Sequence, residues 1–329
     1  MTVGVIGAGS WGTALAAHMR RRGERVRLWA REPEVAAGIR ERGRNPYFVS
    51  DVDLPAGLEV STDINEAVAG ASLVIIAVPS EFYATTLKAL ATLPPGAPVV
   101  SATKGFDPER HLRMTEVLHE RFPDAGVAAL SGPTFAREVV VGRPTAAVIA
   151  ARDLALASRL QDAIGTREFR LYTNADVVGV EAGGALKNVM AIATGIADGL
   201  GLGENARAAL ITRGLAEITR LAVALGAQPA TLAGLAGLGD LVLTCTGSLS
   251  RNRGLGIALA KGAVLERVEG ETRMIAEGAR TVRSALALAR RHGVSLPICE
   301  EVAAVLFKGK LPAAALTALL GRTPTREDS

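Results

Sequence analysis

Apolar residues in the first half of the chain form short continuous runs, separated by segments with helical spacing. The first run is 3–6 (Val-Gly-Val-Ile), and another is 73–78, which ends in Pro79-Ser80. Continuous apolar runs of this length are typical of parallel strands that are buried on both faces. We predict strands at 3–6, 25–30, 73–78, 98–102, 127–130, 146–150 and 169–173. Strands that alternate with helices predict an α/β domain with a mostly parallel sheet.

Beyond residue 177 the apolar residues recur at helical spacing instead. In 206–225 the apolar positions are Leu210, Ile211, Leu215, Ile218, Leu221 and Leu225. Spacings of three and four residues place these side chains on one face of a helix. Further helices are predicted at 279–292 and 296–307, followed by a polar tail at 321–329. We therefore predict two domains, an α/β domain at 1–180 and an all-α C-terminal domain at 181–329.

A glycine-rich turn follows the first strand. The run Gly7-Ala-Gly9-Ser10-Trp11-Gly12 is G-x-G-x-x-G between a predicted strand and an Ala-rich predicted helix at 13–22. In this position Gly7 permits the tight turn, Gly9 lets a pyrophosphate approach the backbone, and Gly12 lets the helix pack closely on the strand. The motif, closed into a β-α-β unit by the strand at 25–30, predicts a dinucleotide-binding domain of Rossmann type. A purely structural glycine turn is the alternative.

Two charged residues end the second predicted strand, where the residue that reads the adenosine ribose is expected. Arg31 suits the 2′-phosphate of NADP, whereas Glu32 suits a ribose hydroxyl of NAD. We predict NADP as the preferred cofactor and keep NAD open. The alternative for Arg31 is a solvated charge at the end of a strand.

Ligands of open α/β sheets collect beyond the carboxyl ends of the strands. Lys104 lies at such an end, after the strand at 98–102. The run Ser131-Gly132-Pro133-Thr134-Phe135-Ala136 follows another strand, and its hydroxyls and backbone N–H groups suit a phosphate or a nicotinamide. An ordinary structural turn explains this second run equally well.

Lys187 lies in an apolar, glycine-rich run that begins Gly184-Ala-Leu-Lys187-Asn188. The chain has only six lysines, at 88, 104, 187, 261, 308 and 310, against thirty-one arginines. A lysine among apolar residues loses hydration, which lowers its pKa and suits it to proton transfer near neutral pH. The alternative is a helix lysine whose ammonium reaches the surface.

Two polar stretches of the second half carry candidate chemistry. Asp240 and Thr244 lie in the otherwise apolar stretch 237–244, which is predicted as a loop, and Lys187 is the candidate partner of a buried Asp240. An exposed helix-capping Asp is the alternative.

The stretch 248–254 contains Ser250, Arg251 and Asn252 just ahead of a predicted helix at 255–260. Guanidinium groups at a helix N-terminus predict a phosphate site, with an incidental basic loop as the alternative.

Composition narrows the class of protein. Of the 329 residues 49% are hydrophobic and 21% are charged, which is typical of folded chains. The net charge is +4, the basic residues are scattered, and aromatic residues make up only 4%, so we expect a small anionic ligand and no nucleic acid. Cys245, Cys299 and the four histidines lack metal-ligand spacing, so no metal site or disulfide framework is predicted. No membrane segment or signal peptide is expected, which indicates a cytoplasmic protein.

A dinucleotide site, a desolvated lysine beside an aspartate, and a phosphate-binding turn together predict hydride transfer on a small phosphorylated ketone or alcohol. Two alternatives stay open at this point. One is a dehydrogenase of another small acid, such as a 3-hydroxy acid, on the same architecture. The other is a regulator that binds NADP without chemistry.

The chain also resembles a known family. The run from Gly184 through Lys187-Asn188 and Asp198-Gly199 to Gly203-Glu204-Asn205 resembles the signature of NAD(P)-dependent glycerol-3-phosphate dehydrogenases. The similarity to the bacterial form covers nearly the whole chain in order, at 7–12, 102–105, 131–136, 238–246 and 250–253. This resemblance implies that the protein reversibly reduces dihydroxyacetone phosphate to glycerol 3-phosphate and that the product supplies phospholipid synthesis. It also implies that the protein forms a homodimer.

The resemblance also implies roles for individual residues. Lys187 would donate and accept the proton, and the reacting centre would be lined by Lys104, Asp240 and Thr244. The glycerol phosphate would contact Lys104, Gly132, Thr134, Lys187, Asp240, Ser250, Arg251 and Asn252. The cofactor would contact Ser10, Trp11, Arg31, Lys104, Ala136, Arg251, Ile275 and Glu277. This sequence departs from the family at Phe48, where Tyr is frequent, and at 264–275, which is slightly short.

Overall fold

An eight-stranded sheet forms the first half of the chain in the computed structural model, which describes residues 1–270 and 276–323. Its strands are β1 (Thr2–Ile6), β2 (Arg25–Trp29), β3 (Glu59–Ser61), β4 (Leu73–Ile76), β5 (Val99–Ser101), β6 (Val127–Ser131), β7 (Thr145–Ala150) and β8 (Phe169–Asn174). They lie in the order β3-β2-β1-β4-β5-β6-β7-β8, and only the β6–β7 pair is antiparallel. The seven predicted strands are all present, and β3 was not predicted.

Seven helices cover this sheet. They are α1 (Ser10–Arg21), α2 (Pro33–Arg42), α3 (Ile64–Val68), α4 (Ser80–Ala89), α5 (Met114–Arg121), α6 (Ala136–Val140) and α7 (Leu154–Ile164). One apolar cluster joins the sheet to α1 and α7 through Leu15, Met19 and Leu160. A second cluster joins it to α4 and α5 through Leu87 and Leu118. Helices on both faces bury the central strands β1, β4, β5 and β6 almost completely, as their continuous apolar sequences predict.

Described residues after β8 contain helices and no strand. These are α8 (Val177–Gly199), α9 (Gly203–Ala224), α10 (Pro229–Leu232), a π-helical turn (Leu235–Gly239), α11 (Asp240–Thr246), α12 (Arg251–Ala260), α13 (Leu265–Gly270), α14 (Glu277–His292), α15 (Pro297–Phe307) and α16 (Pro312–Leu320). The α/β class with a helical second half is confirmed. The predicted boundary near residue 180 falls in the first turn of α8 and stays a prediction. Of the predicted tail, 324–329 lies outside the described residues.

Helix α8 lies at the centre of the helical half, and nearly all of its residues are buried. Its glycines allow α12 to pack against it backbone to backbone. A Cβ added at Gly195 would collide with the carbonyl oxygen of Arg253, and one added at Gly256 would collide with that of Ile192. This close approach brings the N-terminus of α12 beside the middle of α8, where Lys187 lies.

One described stretch, Pro229–Thr246, has the length and hydropathy of a membrane span by composition alone. In the structure it is divided among α10, the π-helical turn and α11, and it packs against α8. The stretch also contains Asp240, which is fully buried and ion-paired within the protein. Leu232 and Leu241 of this stretch are buried in the core of the helical half.

Candidate active site

The glycine-rich turn between β1 and α1 has room for a ligand. Gly7 has a φ of +107°, a conformation that favours glycine, and an added Cβ would lie 2.7 Å from the carbonyl oxygen of Ala77. At Gly12 an added Cβ would collide with the carbonyl oxygen of Gly7. At Gly9, by contrast, an added Cβ would meet no atom within 4 Å, so the space in front of α1 is open. The turn thus fits a pyrophosphate that approaches the N-terminus of a helix.

Two side chains fix the walls of this crevice. Trp11 donates its indole N–H to the carbonyl oxygen of Ala102, 3.1 Å away, and so ties α1 to the end of β5. Asn45 is fully buried, donates to the carbonyl oxygen of Ala8, and accepts from the backbone N–H of Phe48. The segment that contains Phe48 is therefore held against the glycine-rich turn. Ser10 begins α1 and is half-buried.

The two candidate ribose readers at the end of β2 bind each other. A guanidinium nitrogen of Arg31 lies 2.7 Å from a carboxylate oxygen of Glu32, and 63% of the Arg31 side chain is exposed. The guanidinium also lies 5.2 Å from the centre of the Phe82 ring. Arg31 is therefore placed near the mouth of the crevice with a flat apolar surface beside it.

Lys187 points into the protein. It is 6% exposed, and its ammonium lies 2.5 Å from Oδ1 of Asp240 and 2.8 Å from Oγ1 of Thr244. Asp240 and Thr244 are one helical turn apart in α11, so both face the same side chain. Gly183 lets the π-helical turn approach α8, because an added Cβ would lie 2.6 Å from the carbonyl oxygen of Ala236. The predicted partnership of Lys187 and Asp240 is present, and the surface-reaching alternative for Lys187 is wrong.

Lys104 reaches the same carboxylate from the sheet. Its ammonium donates to Oδ2 of Asp240 at 2.8 Å, to the carbonyl oxygen of Gly132 at 2.8 Å and to Oγ1 of Thr134 at 3.0 Å. The carboxylate of Asp240 thus lies between two lysine ammonium groups, one from each half of the chain. The structure brings Lys104, Gly132, Thr134, Lys187, Asp240 and Thr244 together in one cluster.

The environment changes the acidity of Lys187. Burial, which disfavours the charged form, lowers its pKa to about 8; the carboxylate of Asp240 opposes this change, and the cation of Lys104 adds to it. A lysine with a pKa of about 8 is mostly protonated at neutral pH but releases its proton easily. The cluster therefore contains a group suited to proton transfer in either direction.

Helix α12 begins at Arg251, four residues earlier than predicted. One N–H group of its first turn is capped, because Oγ of Ser250 accepts from the backbone N–H of Arg253 at 3.3 Å. Asn252 is buried and donates to Oδ1 of Asn188 at 3.0 Å. Arg251 is exposed at the first helical position, and it has no hydrogen-bond partner within 1–270 and 276–323. Its guanidinium is available to a ligand at the helix N-terminus.

The stretch 237–244, predicted as a loop, is also helical, because the π-helical turn continues directly into α11.

Glu277 opens α14, two residues before the predicted start of this helix. Its two carboxylate oxygens accept from the backbone N–H of Ser80 at 3.1 Å and from the Ser80 hydroxyl at 2.7 Å. Burial raises the pKa of Glu277.

Ala136 begins α6, directly after the turn that contains Gly132 and Thr134. Ile275, the remaining predicted cofactor contact, lies outside the described residues.

Three polar residues without a predicted role support this site, namely Asn45, Ser80 and Asn188. Asn188 follows Lys187 on α8, and its side chain joins α8 to α12. Ser80 joins α4 to α14, and Asn45 joins two segments of the crevice. Only Asn188 had a usable signal, because it lies next to the candidate lysine.

Known proteins resemble the chain over nearly its whole length. The models of the N-terminal and C-terminal parts of NAD-dependent glycerol-3-phosphate dehydrogenase match residues 2–157 and 176–317. The NAD(P)+ glycerol-3-phosphate dehydrogenase of Rhodospirillum rubrum is 51% identical over 321 residues, which are 97% of this chain and 92% of that protein. The corresponding enzyme of Geobacter sp. strain M21 is 49% identical over 324 residues, 97% of each chain.

A solved structure agrees with these matches. The crystal structure of glycerol-3-phosphate dehydrogenase from Coxiella burnetii superposes with a TM-score of 0.93 at 37% identity, over 98% of this chain and 99% of that one. The family resemblance seen in the sequence is thereby confirmed. This chain belongs to the NAD-dependent glycerol-3-phosphate dehydrogenase family, and it is an NAD(P)-dependent oxidoreductase.

Proposed function

We propose that this protein catalyses the reversible reduction of dihydroxyacetone phosphate to sn-glycerol 3-phosphate. The observation that carries the proposal is the Lys187–Asp240–Lys104 cluster, which combines a buried proton donor with a second cation where the two halves of the chain meet. When bound, the nicotinamide cofactor supplies the hydride for the carbonyl carbon. The protein supplies the proton, the orientation of the substrate and the exclusion of water.

Lys187 is the proposed proton donor in reduction and the acceptor in oxidation. Its ammonium is oriented by Asp240 and Thr244, so that its remaining N–H faces the substrate oxygen. As the carbonyl oxygen gains negative charge, that N–H donates to it and then transfers the proton. The carboxylate of Asp240 accepts from Lys187 and stabilises its charged form.

Lys104 is the proposed second cation of the reacting centre. Asp240, Thr134 and the carbonyl oxygen of Gly132 fix its ammonium, so little reorganisation is needed when a substrate binds. A fixed positive charge beside the substrate stabilises the developing alkoxide. It also keeps the pKa of Lys187 low, since a neighbouring cation disfavours a second one.

The first turn of α12 is the proposed phosphate site. Arg251 offers a forked guanidinium, and the free N–H groups of the helix start favour an anion. Ser250 and Asn252 lie in the same turn, and Gly132 and Thr134 complete the proposed substrate contacts from the sheet side. A phosphate held here anchors the substrate while its carbonyl lies at Lys187.

The proposed cofactor site runs from the glycine-rich turn to the reacting centre. Its proposed contacts are Gly7, Gly9, Ser10, Trp11, Gly12, Arg31, Lys104, Ala136, Arg251, Ile275 and Glu277. We propose a preference for NADPH over NADH, because Arg31 at the end of β2 is exposed and suits a 2′-phosphate. The neighbouring carboxylate of Glu32 supports the use of NADH as well.

The wider assignments rest on the family resemblance and on composition. We propose that the two domains meet near residue 180, that the protein acts in the cytoplasm, and that two copies form a homodimer. We also propose that the physiological direction is reduction, which supplies glycerol 3-phosphate for phospholipid synthesis.

Oxidation of NADPH by the purified protein tests the proposed reaction. We expect NADPH absorbance to decrease rapidly with dihydroxyacetone phosphate and only slowly with dihydroxyacetone, because the phosphate anchors the substrate at α12. Equal rates with both ketones would contradict a phosphate-specific site. No decrease with either ketone would contradict the proposed reaction itself.

The pH dependence of the two directions is a second prediction. Lys187 must be protonated for reduction and neutral for oxidation. With a pKa of about 8, kcat/KM for reduction should fall, and that for oxidation should rise, as the pH increases through about 8. In Lys104→Met the midpoint should move to higher pH, because a cation that lowers the pKa of Lys187 is removed. Lys88→Met, at an exposed position of α4, is the control and should leave the midpoint unchanged. A midpoint that does not move in Lys104→Met would contradict this coupling.

A further inference from the structure

The second half of the family signature has no place in the site described above. Asp198 lies at the end of α8, and only 8% of its side chain is exposed. Oδ2 accepts from Nε of Arg253 at 2.6 Å, and Oδ1 accepts from Nε of Arg207 at 2.8 Å. Arg207, on α9, also pairs with Glu204 at 2.7 Å. Asp198 therefore joins three helices through one largely buried carboxylate.

The pair with Arg253 acts on the turn that holds Arg251. Arg253 is two residues after Arg251 in the same first turn of α12, and its backbone N–H is the one that Ser250 caps. Gly195 and Gly256 set the close distance between α8 and α12, as described above. The glycine contacts set the distance between the two helices, and a charge-assisted hydrogen bond adds a directional contact between them. The Asp198–Arg253 pair supplies such a contact at the N-terminus of α12, in addition to the hydrogen bond between Asn188 and Asn252.

The same helix carries the proton donor. Lys187 and Asp198 are both on α8, eleven residues apart, which corresponds to about 16 Å along a helix. A rigid helix therefore separates the group that protonates the substrate oxygen from the group that fixes the turn of Arg251. This arrangement sets the distance between Lys187 and the proposed phosphate-binding turn, which a bound substrate has to match.

We propose that Asp198, acting through Arg253, is a positioning residue that fixes the phosphate-binding turn of α12 relative to Lys187 and so determines specificity for a short phosphorylated ketone. The inference rests on the proposed function, because it takes the first turn of α12 as the phosphate site. Asp198 contacts neither substrate nor cofactor in this role. Its replacement should therefore affect the rate with dihydroxyacetone phosphate and not the rate with dihydroxyacetone.

The variant Asp198→Asn tests the proposal. We expect kcat/KM for dihydroxyacetone phosphate to fall by about tenfold to a hundredfold, because even a small displacement of Arg251 misaligns the bound substrate. The rate with dihydroxyacetone, the KM for NADPH and the pH midpoint near 8 should stay unchanged. Arg253→Gln should give the same pattern, and the double variant should be no worse than either single one.

Arg207→Gln is the matched control. It removes the other guanidinium from the same carboxylate without touching α12, so phosphate selectivity should be retained. If Asp198→Asn and Arg253→Gln slow both ketones equally, or lower only the melting temperature, the positioning role is wrong. Failure of the proposed function gives a different result, since Arg251→Ala would then leave phosphate selectivity intact.

Discussion

The Lys187→Met variant should lose turnover by about 10³- to 10⁴-fold in both directions while it binds NADPH as the natural protein does. The substitution keeps an unbranched side chain of similar length in the buried position on α8 but removes the group that transfers the proton. Asp240 keeps a charged partner, since Lys104 still donates to its Oδ2 at 2.8 Å. The glycine-rich turn and its open space in front of α1 are not in contact with the changed side chain. Single-turnover rates and NADPH fluorescence titration give the two quantities separately.

The controls for this variant separate chemistry from folding. Lys88→Met replaces an exposed lysine and should retain full activity. The thermal transition of Lys187→Met should remain cooperative, since removing a buried ammonium also removes its desolvation cost. A kcat within a few-fold of that of the natural protein would end the assignment of Lys187 as the proton donor.

The second large effect is expected from Arg251→Ala. We expect kcat/KM for dihydroxyacetone phosphate to fall by about 10²- to 10³-fold, or roughly 3–4 kcal/mol, since a charged partner of the phosphate is lost. At saturating NADPH, which offsets the loss of the proposed cofactor contact of Arg251, the rate with dihydroxyacetone should be almost unchanged, because that ketone has no phosphate for Arg251 to hold. The ratio of the two rate constants therefore measures the contribution of the guanidinium to phosphate recognition.

An arginine remote from the site is the control for Arg251→Ala. Arg152, just ahead of α7, is exposed, and its replacement by Ala should not alter the ratio. If Arg251→Ala slows both ketones by the same factor, the guanidinium serves something other than the phosphate. Added inorganic phosphate should not increase the rate of the Arg152→Ala variant or of the natural protein.

Local chemistry made much of the molecule predictable. Gly7, Gly9 and Gly12 act within one turn, and each has a steric role that follows from its spacing. The central strands, such as β1 and β4, are continuous apolar runs because both faces of the sheet are covered there. Lys187 stood out because a lysine among apolar residues is unusual in a chain that otherwise uses arginine. Its pairing with Asp240 followed from the cost of burying a carboxylate alone.

Contacts between distant polar residues were not predictable. Lys104 and Asp240 are 136 residues apart, and Ser80 and Glu277 are 197 apart, so no periodicity connects them. An amide such as Asn45 has donors and an acceptor that suit many partners, and its sequence neighbours do not select one. Strand β3 has three residues at the edge of the sheet, too few to form an apolar run. The start of α12 was misplaced because its first turn is polar, although Ser250 is a typical N-cap residue.

The most direct test of the account is the pKa of Lys187 itself. Lysines labelled with ¹³C at Cε can be followed by NMR as the pH is raised, and only six contribute. The resonance that disappears in Lys187→Arg identifies Lys187. We expect that resonance to titrate near pH 8, because the ammonium is buried beside Lys104 despite its contact with Asp240. Titration near the ordinary lysine value of about 10.4 would contradict the account, since the amine would then be a solvated cation.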